Sequence, residues 1–475
     1  MFLLVSWVIG IGPSSSDANA QWFRRRFQQP TYRRPPAPPN PAPAGVGQPQ
    51  QPAMPRQNGQ AKGSEVSGES EGKQIHDSKA TASREARTPG SVSQSIWASS
   101  AGASGPLAMD HAAANQLASI RMPGEFEHQR AIMLSISDWM PHHFAILSQI
   151  AEKTKGHVEL VIFYNDLRQL QGVIEHFIAQ RVDGGHIWFC PHELDTIWLR
   201  DFAPRIGDSD QGPISLDFFY EGSRPRDDAF PRRWAEQCQT SLRTVRWTVQ
   251  GGNLMFNGQG IGVASNRIFQ DNAITFPGAS RPTDPYGEAR RMVEAEFKRA
   301  CNLDQLIIME PLQEEVTRHV DMFLTFLAPD HVLVGRLDRS VDPVNAAILD
   351  RNAETLARVQ TAGGPMRVSR VDFPSRNGKQ WSSLTNIIMA NNLVLLPQFD
   401  SDPPELIERA RRTYEQLIPG CVVKTVDLTS MKALQGSLHC LSMHLPQFAP
   451  LPPVRYRYEA FRRQLDQTDK TASAP

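Results

Sequence analysis

From Arg33 to Ile96 the 475-residue sequence has no phenylalanine, tyrosine or tryptophan, and ten prolines fall between Pro30 and Pro55. Such a stretch cannot bury enough apolar surface to offset the ordering of its backbone. That excludes a folded domain there, and residues 21–120 read as a low-complexity, Pro/Gln/Ser-rich disordered tail. Cysteine is also scarce: Cys190, Cys238, Cys301, Cys421 and Cys440 are odd in number, widely spread and never spaced C-x-x-C. Neither a disulfide scaffold nor a structural zinc site fits that usage. Neither sign of charge dominates, with Lys+Arg and Asp+Glu at 50 each, so the chain as a whole has no field to gather nucleic acid or an anionic membrane. No apolar run is long enough for a stable membrane span. The N-terminal "MFLLVSWVIGIGPSSSDANAQ" has a short apolar run followed by Ala18-Asn19-Ala20. It reads as a signal peptide over 1–20, although the customary basic residues before the apolar run are missing. The expectation is export to the periplasm or beyond the cell, with a cytoplasmic location as the alternative.

What the sequence does have lies in residues 121–455, rich in branched apolar residues and long enough for a large core; residues 456–475 read as a polar C-terminal tail. Helical periodicity predicts helices over 142–153, 166–181, 286–300, 345–361 and 404–417. The runs "VELVIFY", "HIWFC", "RTVRWTV", "QLIIME", "MRVSRVDF" and "CVVKTVDL" predict strands. The alternation indicates an α/β fold. Five strand ends, at Cys190, Val249, Glu310, Phe373 and Leu428, lie 59, 61, 63 and 55 residues apart. A repeat of about sixty residues, used five times, implies one supersecondary unit arranged around an axis, with a chance spacing in a doubly wound sheet as the alternative.

Each of those strands is followed by a polar segment. The first carries Asp195, Trp198 and Asp201, the second Gly251-Gly252, the third His319 and Asp321, the fourth Asn386 and the fifth Cys440. In extended chain, residues two apart share a face, which would set the His319 imidazole beside the Asp321 carboxylate and turn His439 away from Cys440. Singly, each has a plainer reading: a cysteine in an apolar run is core, H-x-D a hydrogen-bonded strand pair, W-x-R-D a salt-bridged turn, Gly-Gly a tight turn. A metal site at His439, Cys440 and His444 lacks a second ligand pair at a recognised spacing. Thiol, imidazole and two carboxylates at equivalent places in successive units favour a shared site.

The ordered series "DTIWLRDFAP", "VQGGNLMFNGQG", "RHVDMF", "SLTNIIMANNLVLLPQF" and "GSLHC" resembles the motifs of bacterial peptidylarginine deiminases and agmatine deiminases, of the guanidine-modifying (pentein) superfamily, over roughly residues 121 to 450. The resemblance implies a five-bladed α/β propeller with its site on the axis and no metal or organic cofactor. It also implies roles: Asp201 and Asp321 as the carboxylates that hold a guanidinium, Cys440 as nucleophile, His319 as acid and base, Asn386 as a further catalytic residue, and Trp198 as an aromatic wall. Asp195 falls in the same segment as a substrate-binding candidate, and Gly252 permits close backbone approach. The chemistry is coherent. A guanidinium is planar and charged at ordinary pH, so paired carboxylates can fix its carbon for attack by a thiolate.

Arg224 and Arg226, in "YEGSRPRDDAFP", are placed like an arginine pair of the peptidylarginine type, where they would clamp the carboxylate of a C-terminal arginine. A solvated ion-pair loop is the plainer reading. The expected activity is hydrolysis of peptidylarginine to peptidylcitrulline and ammonia, with agmatine deimination to N-carbamoylputrescine as the alternative. A propeller that binds without turnover, its tail the interaction element, is the alternative of another class. The chain departs from the family pattern at Gln250, where agmatine-type relatives carry an acidic residue, at Arg318, where glycine is usual, and in the reduced glycine run Gly436-Ser437. The expected partner is a small molecule or peptide bearing a guanidinium; no oligomeric state follows from the sequence.

Overall fold

Three apolar runs open the fold as the parallel strands β1 (Gln129–Ser135), β2 (Glu159–Tyr164) and β3 (Ile187–Pro191), joined by the helices Phe144–Thr154 and Leu167–Ala179. The structure is a computed structural model that describes residues 120–272, 287–376 and 380–463. The expected signal peptide, and the expected tail up to its last residue, lie outside the described residues. Nearly every residue of β1 and β2 is buried, as strands covered on both faces require. Four three-stranded sheets follow. The first holds β4 (Arg205–Gly207), β5 (Ile214–Phe219) and β6 (Ser241–Thr248); the second β7 (Met255–Phe256), β8 (Ile261–Ser265) and β9 (Gln305–Met309). The third holds β10 (Leu324–Ala328), β11 (His331–Arg336) and, beyond a small hairpin of β12 (Gln360–Thr361) and β13 (Gly364–Pro365), β14 (Arg367–Asp372). The fourth holds β15 (Ile388–Ala390), β16 (Leu393–Gln398) and β17 (Val422–Asp427).

In each of these sheets the first two strands are antiparallel, and a helix crosses back to lay the third parallel to the second. The crossover helices bury one stripe on the sheet. Pro404–Leu417, for example, buries Ile407, Ala410 and Tyr414 at spacings of three and four. The same pattern is completed at the start of the chain, where β18 (Ser442–Pro446) pairs antiparallel with β1. The sixty-residue spacing therefore marks real units at Val249, Glu310, Phe373 and Leu428, each directly after a third strand. Its first interval does not join equivalents. Cys190 is the penultimate residue of an additional parallel strand, β3, and the counterpart of the other third strands is β2. Strand ends measure chain length, whereas equivalence is decided by pairing.

Two further expectations change. The helix predicted over 345–361 runs Pro343–Ala357, because the Gly363-Gly364 turn, with Gly364 at φ 113°, folds the rest into the small hairpin. The C-terminal segment is not all tail: β19 (Tyr456–Arg457) pairs with β3, and Tyr458 and Phe461 are fully buried. Tyr458 lies so close to Gly184 that a Cβ there would overlap its ring.

Candidate active site

The linking segments that carry Asp201, Gly252, Asp321 and Cys440 are wound, not extended, at those residues, so the alternation expected of strands does not operate there. Asp201 sits in the short helix Leu199–Phe202, and Cys440 in Leu438–Leu441. Gly251–Asn253 and Val320–Met322 are single 3-10 turns, the second entered by His319 with extended backbone. What brings His319 and Asp321 together is a missing side chain. A Cβ on Gly252 would stand 2.6 Å from His319 Nδ1 and 2.7 Å from Asp321 Oδ2, while the Gly252 backbone N–H lies near enough to the Asp201 carboxylate to favour its ionised form. Arg318 turns the chain into His319 at φ 58°. That is a left-handed conformation in which a side chain costs about 1 kcal/mol, which accounts for the glycine usual at this place. The turn is held by the buried Glu315 carboxylate, which accepts from Thr317 N and Oγ1 and from Arg318 N.

Trp198, Asp201, Gln250, His319 and Cys440 line one cavity of about 280 Å³, which Tyr220, Glu221, Arg224 and Arg267 also line. The Trp198 ring lies against Gly436, where a Cβ would come within 2.1 Å, so the reduced glycine run keeps the one glycine the wall requires. Asn386 is fully buried behind the cavity. Its Oδ1 accepts from His439 N at 2.9 Å and Cys440 N at 3.3 Å, and its Nδ2 lies 3.4 Å from both the Asp321 carbonyl and Cys440 Sγ. It locks the Asp321 turn to the Cys440 helix, and Tyr414 steadies the same segment by donating to the Leu384 carbonyl.

Two expected contacts are absent from the cavity. Asp195 Oδ2 accepts from Arg226 N at 2.8 Å, and Arg226 Nε lies 3.8 Å from the other carboxylate oxygen. The helix Pro225–Asp228 needs an acceptor for its first N–H groups, and Asp195 supplies it. Asp195 and Arg226 thus form an ion-paired loop, and only Arg224 of the expected pair lines the cavity. There Arg224 donates to Tyr220 Oη at 2.6 Å and lies 3.6 Å from Glu221.

Burial and like charge set the protonation of the site. Burial, with the charges of Asp321 and Asp201 beside it, pushes the Cys440 thiol well up. Burial also lowers His319 to about 4, leaving the imidazole neutral. Gln250 Nε2 donates to Glu221 Oε1 at 3.1 Å, so its Oε1 is left to accept from His319 Nε2 at 2.8 Å. The ring proton is therefore on Nε2, and the unprotonated Nδ1 faces Asp201 Oδ1 at 3.7 Å. Burial and then Asp321 raise Asp201 to about 7. Because a cation needs that group ionised, kcat/KM should fall as pH drops through about 7, a midpoint belonging to the free protein. A pH–rate profile whose acid limb lies near 4 would show that Asp201 is not the group concerned.

A charged layer lies under the cavity, and sequence reasoning missed it. His439 Nδ1 meets Asp321 Oδ2 at 2.8 Å and its Nε2 meets Glu125 Oε2 at 2.7 Å, while Arg200, fully buried, donates to Glu125 and, at 2.7 Å, to His444 Nδ1. Burial opposes ionisation of Glu125, but Arg200, His439 and His444 hold its carboxyl well below the usual range. Glu125, His439 and His444 offer ligand atoms within 4.8 Å of one another. The guanidinium already occupies the Glu125 carboxylate and the His444 lone pair, so these residues fit an arginine and not a metal ion.

The sequence model described as Porphyromonas-type peptidyl-arginine deiminase matches residues 121–446. The agmatine deiminase of Stutzerimonas stutzeri is 22% identical over 310 residues, covering 57% of this chain and 81% of that protein. That of Ectopseudomonas mendocina is 22% identical over 303 residues, covering 56% and 78%. Among solved structures, C. jejuni agmatine deiminase superposes with a TM-score of 0.56 at 19% identity, over 70% of this chain and 97% of that one. Agmatine deiminase of Enterococcus faecalis superposes with a TM-score of 0.56 at 16% identity, over 69% and 96%. The mixed α/β fold is shared with these deiminases. Among the described residues no helix is long and apolar enough to cross a membrane.

Proposed function

The chain belongs to the Porphyromonas-type peptidyl-arginine deiminase family, and on that premise we propose that it is a thiol-dependent deiminase whose substrate is agmatine. It is a hydrolase of guanidino C–N bonds. The observation that carries the mechanism is the convergence of the Cys440 thiol, the neutral His319 and the Asp201 carboxylate on one small cavity, with Asp321 against the same Gly252. A guanidinium entering between the carboxylates brings the positive charge that Cys440 lacks, which lowers the thiol's pKa and lets its proton pass to His319. The thiolate attacks the guanidinium carbon, the C–N bond breaks, and His319 returns the proton to the departing nitrogen as ammonia leaves. The neutral imidazole then takes a proton from water. The hydroxide adds to the thiouronium carbon and expels the thiolate, leaving the ureido product. We further read the five sheets as blades about one axis, with the linking segments meeting at one end of it.

Agmatine is favoured by the agmatine deiminases among the relatives of this chain and by the lining of the cavity. The expected carboxylate clamp is incomplete, since Arg226 is tied to Asp195 outside it, while the Glu221 carboxylate lines the cavity where the ammonium end of agmatine would reach. Arg224 supports a second reading, a peptide ending in arginine, because it lines the same cavity. Ammonia release from agmatine, a C-terminal-arginine peptide and free arginine tests both. Preference for the peptide would remove the agmatine reading, and no release from any would favour a binding protein. If peptide is used, Arg224→Ala should lower its kcat/KM about tenfold, equivalent to about 1.4 kcal/mol, with agmatine spared. Arg226→Ala should change neither by more than about twofold, as expected of an exposed ion pair.

A further inference from the structure

Two pocket residues are each preceded in the chain by a residue that faces away from the cavity. Asp201 follows Arg200, and Cys440 follows His439. In both pairs the later residue, Asp201 or Cys440, lines the cavity and the earlier one, Arg200 or His439, enters the charged layer beneath it. Arg200 Nε also donates to the His439 carbonyl at 3.3 Å, tying one helix to the other. The layer ends on Asp321, whose Oδ2 meets His439 while Oδ1 is buried without a hydrogen-bond partner.

We propose that His439, backed by Glu125, is the positioning residue that fixes the rotation of the Asp321 carboxylate and its placement relative to the Cys440 thiol. A carboxylate with one oxygen bound to an imidazole cannot turn freely about its own bond, so the Asp321 charge stays fixed beside Gly252 and His319. Because His439 and Cys440 are consecutive in one helical turn, the bond that orients the anchor also sets the direction of the nucleophile. Glu125 in turn orients the ring through Nε2, and the Arg200 guanidinium holds Glu125. Positioning of this kind is worth much in rate, since misplacing a reacting group by about 1 Å costs on the order of 100-fold. The inference rests on the deiminase reading above.

The test separates the two ring nitrogens. In His439→Asn the side-chain amide lies close to the position of Nδ1 and keeps the bond to Asp321. In His439→Gln it reaches toward the position of Nε2, keeping the bond to Glu125 and losing the one to Asp321. Positioning through Nδ1 predicts that the Asn variant retains kcat/KM for agmatine within about tenfold of wild type, whereas the Gln variant loses about 100-fold. The Gln variant should also bind agmatine more weakly in a Cys440→Ala background. A residue that merely fills and satisfies the core would make the two variants equal, and equal losses, or a Gln variant as active as the Asn variant, would overturn the proposal. Should His439→Gln fail to fold, Glu125→Gln provides the second measurement, with a loss of about tenfold expected and wild-type kcat/KM counting against the relay. Wild-type protein without activity on any guanidine would sink the deiminase reading itself, an outcome distinct from active wild type with indifferent variants.

Discussion

Cys440→Ala is expected to lower ammonia release by about 10⁵-fold or more while leaving affinity for the guanidine substrate unchanged or improved. Among the described residues that line the cavity, the Cys440 thiol is the group best suited to form a covalent bond to the guanidinium carbon. His319 is neutral and engaged through Nε2 with Gln250, and Asp201, raised to about 7, serves to hold a cation rather than to attack it. Alanine would also remove the cost of holding a sulfur between two carboxylates, which is why binding should not suffer. Steady-state ammonia assays give the first quantity, and calorimetry with agmatine the second. Acid-quenched wild type should carry a covalent mass equal to substrate less ammonia, and the variant none. Residual turnover within tenfold of wild type would remove the thiol mechanism.

Gly252→Ala is expected to lower kcat/KM by at least about 100-fold with little change in secondary structure. A single methyl group at this position would stand 2.6 Å from His319 Nδ1 and 2.7 Å from Asp321 Oδ2, contacts that neither side chain can accept in place. His319 is held by Gln250, and Asp321 by His439. The backbone must therefore shift, and its N–H would move away from the Asp201 carboxylate. Three groups are displaced together, so both binding and chemistry should suffer, in contrast to Cys440→Ala. A variant with normal kcat/KM would mean that the close approach around Gly252 is not needed for function.

Much of the site was legible in the sequence because it is built from linking segments that recur once per unit. Asp201, His319, Asp321, Asn386 and Cys440 could each be placed after a predicted strand, and all are found at or directly behind one cavity. The route to that result was partly mistaken. His319 and Asp321 meet across Gly252 rather than by strand alternation, and His439, expected only to be turned away from Cys440, holds Asp321. Glu125 gave no signal, since it lies before β1 in none of the five segments and reaches the layer only because β18 folds back on β1. Asp195 and Arg226 misled because an acidic or basic residue near a site reads alike whether it faces substrate or caps a helix. Tyr458 and Phe461 were lost in a polar composition that hides two apolar residues at helical spacing.

By itself the sequence determined the α/β alternation, a unit of about sixty residues that it placed five times and that pairing upholds at four strand ends, and the residue types of a guanidine-modifying site, because periodicity and chemical identity are local properties of the chain. The tertiary structure alone decided that β3 is an additional strand, that Arg226 is turned away from the cavity, and that Arg200, Glu125 and His439 underlie it. These facts depend on pairing and on contacts between residues as much as 314 positions apart, and no local pattern specifies which distant carboxylate an imidazole will meet.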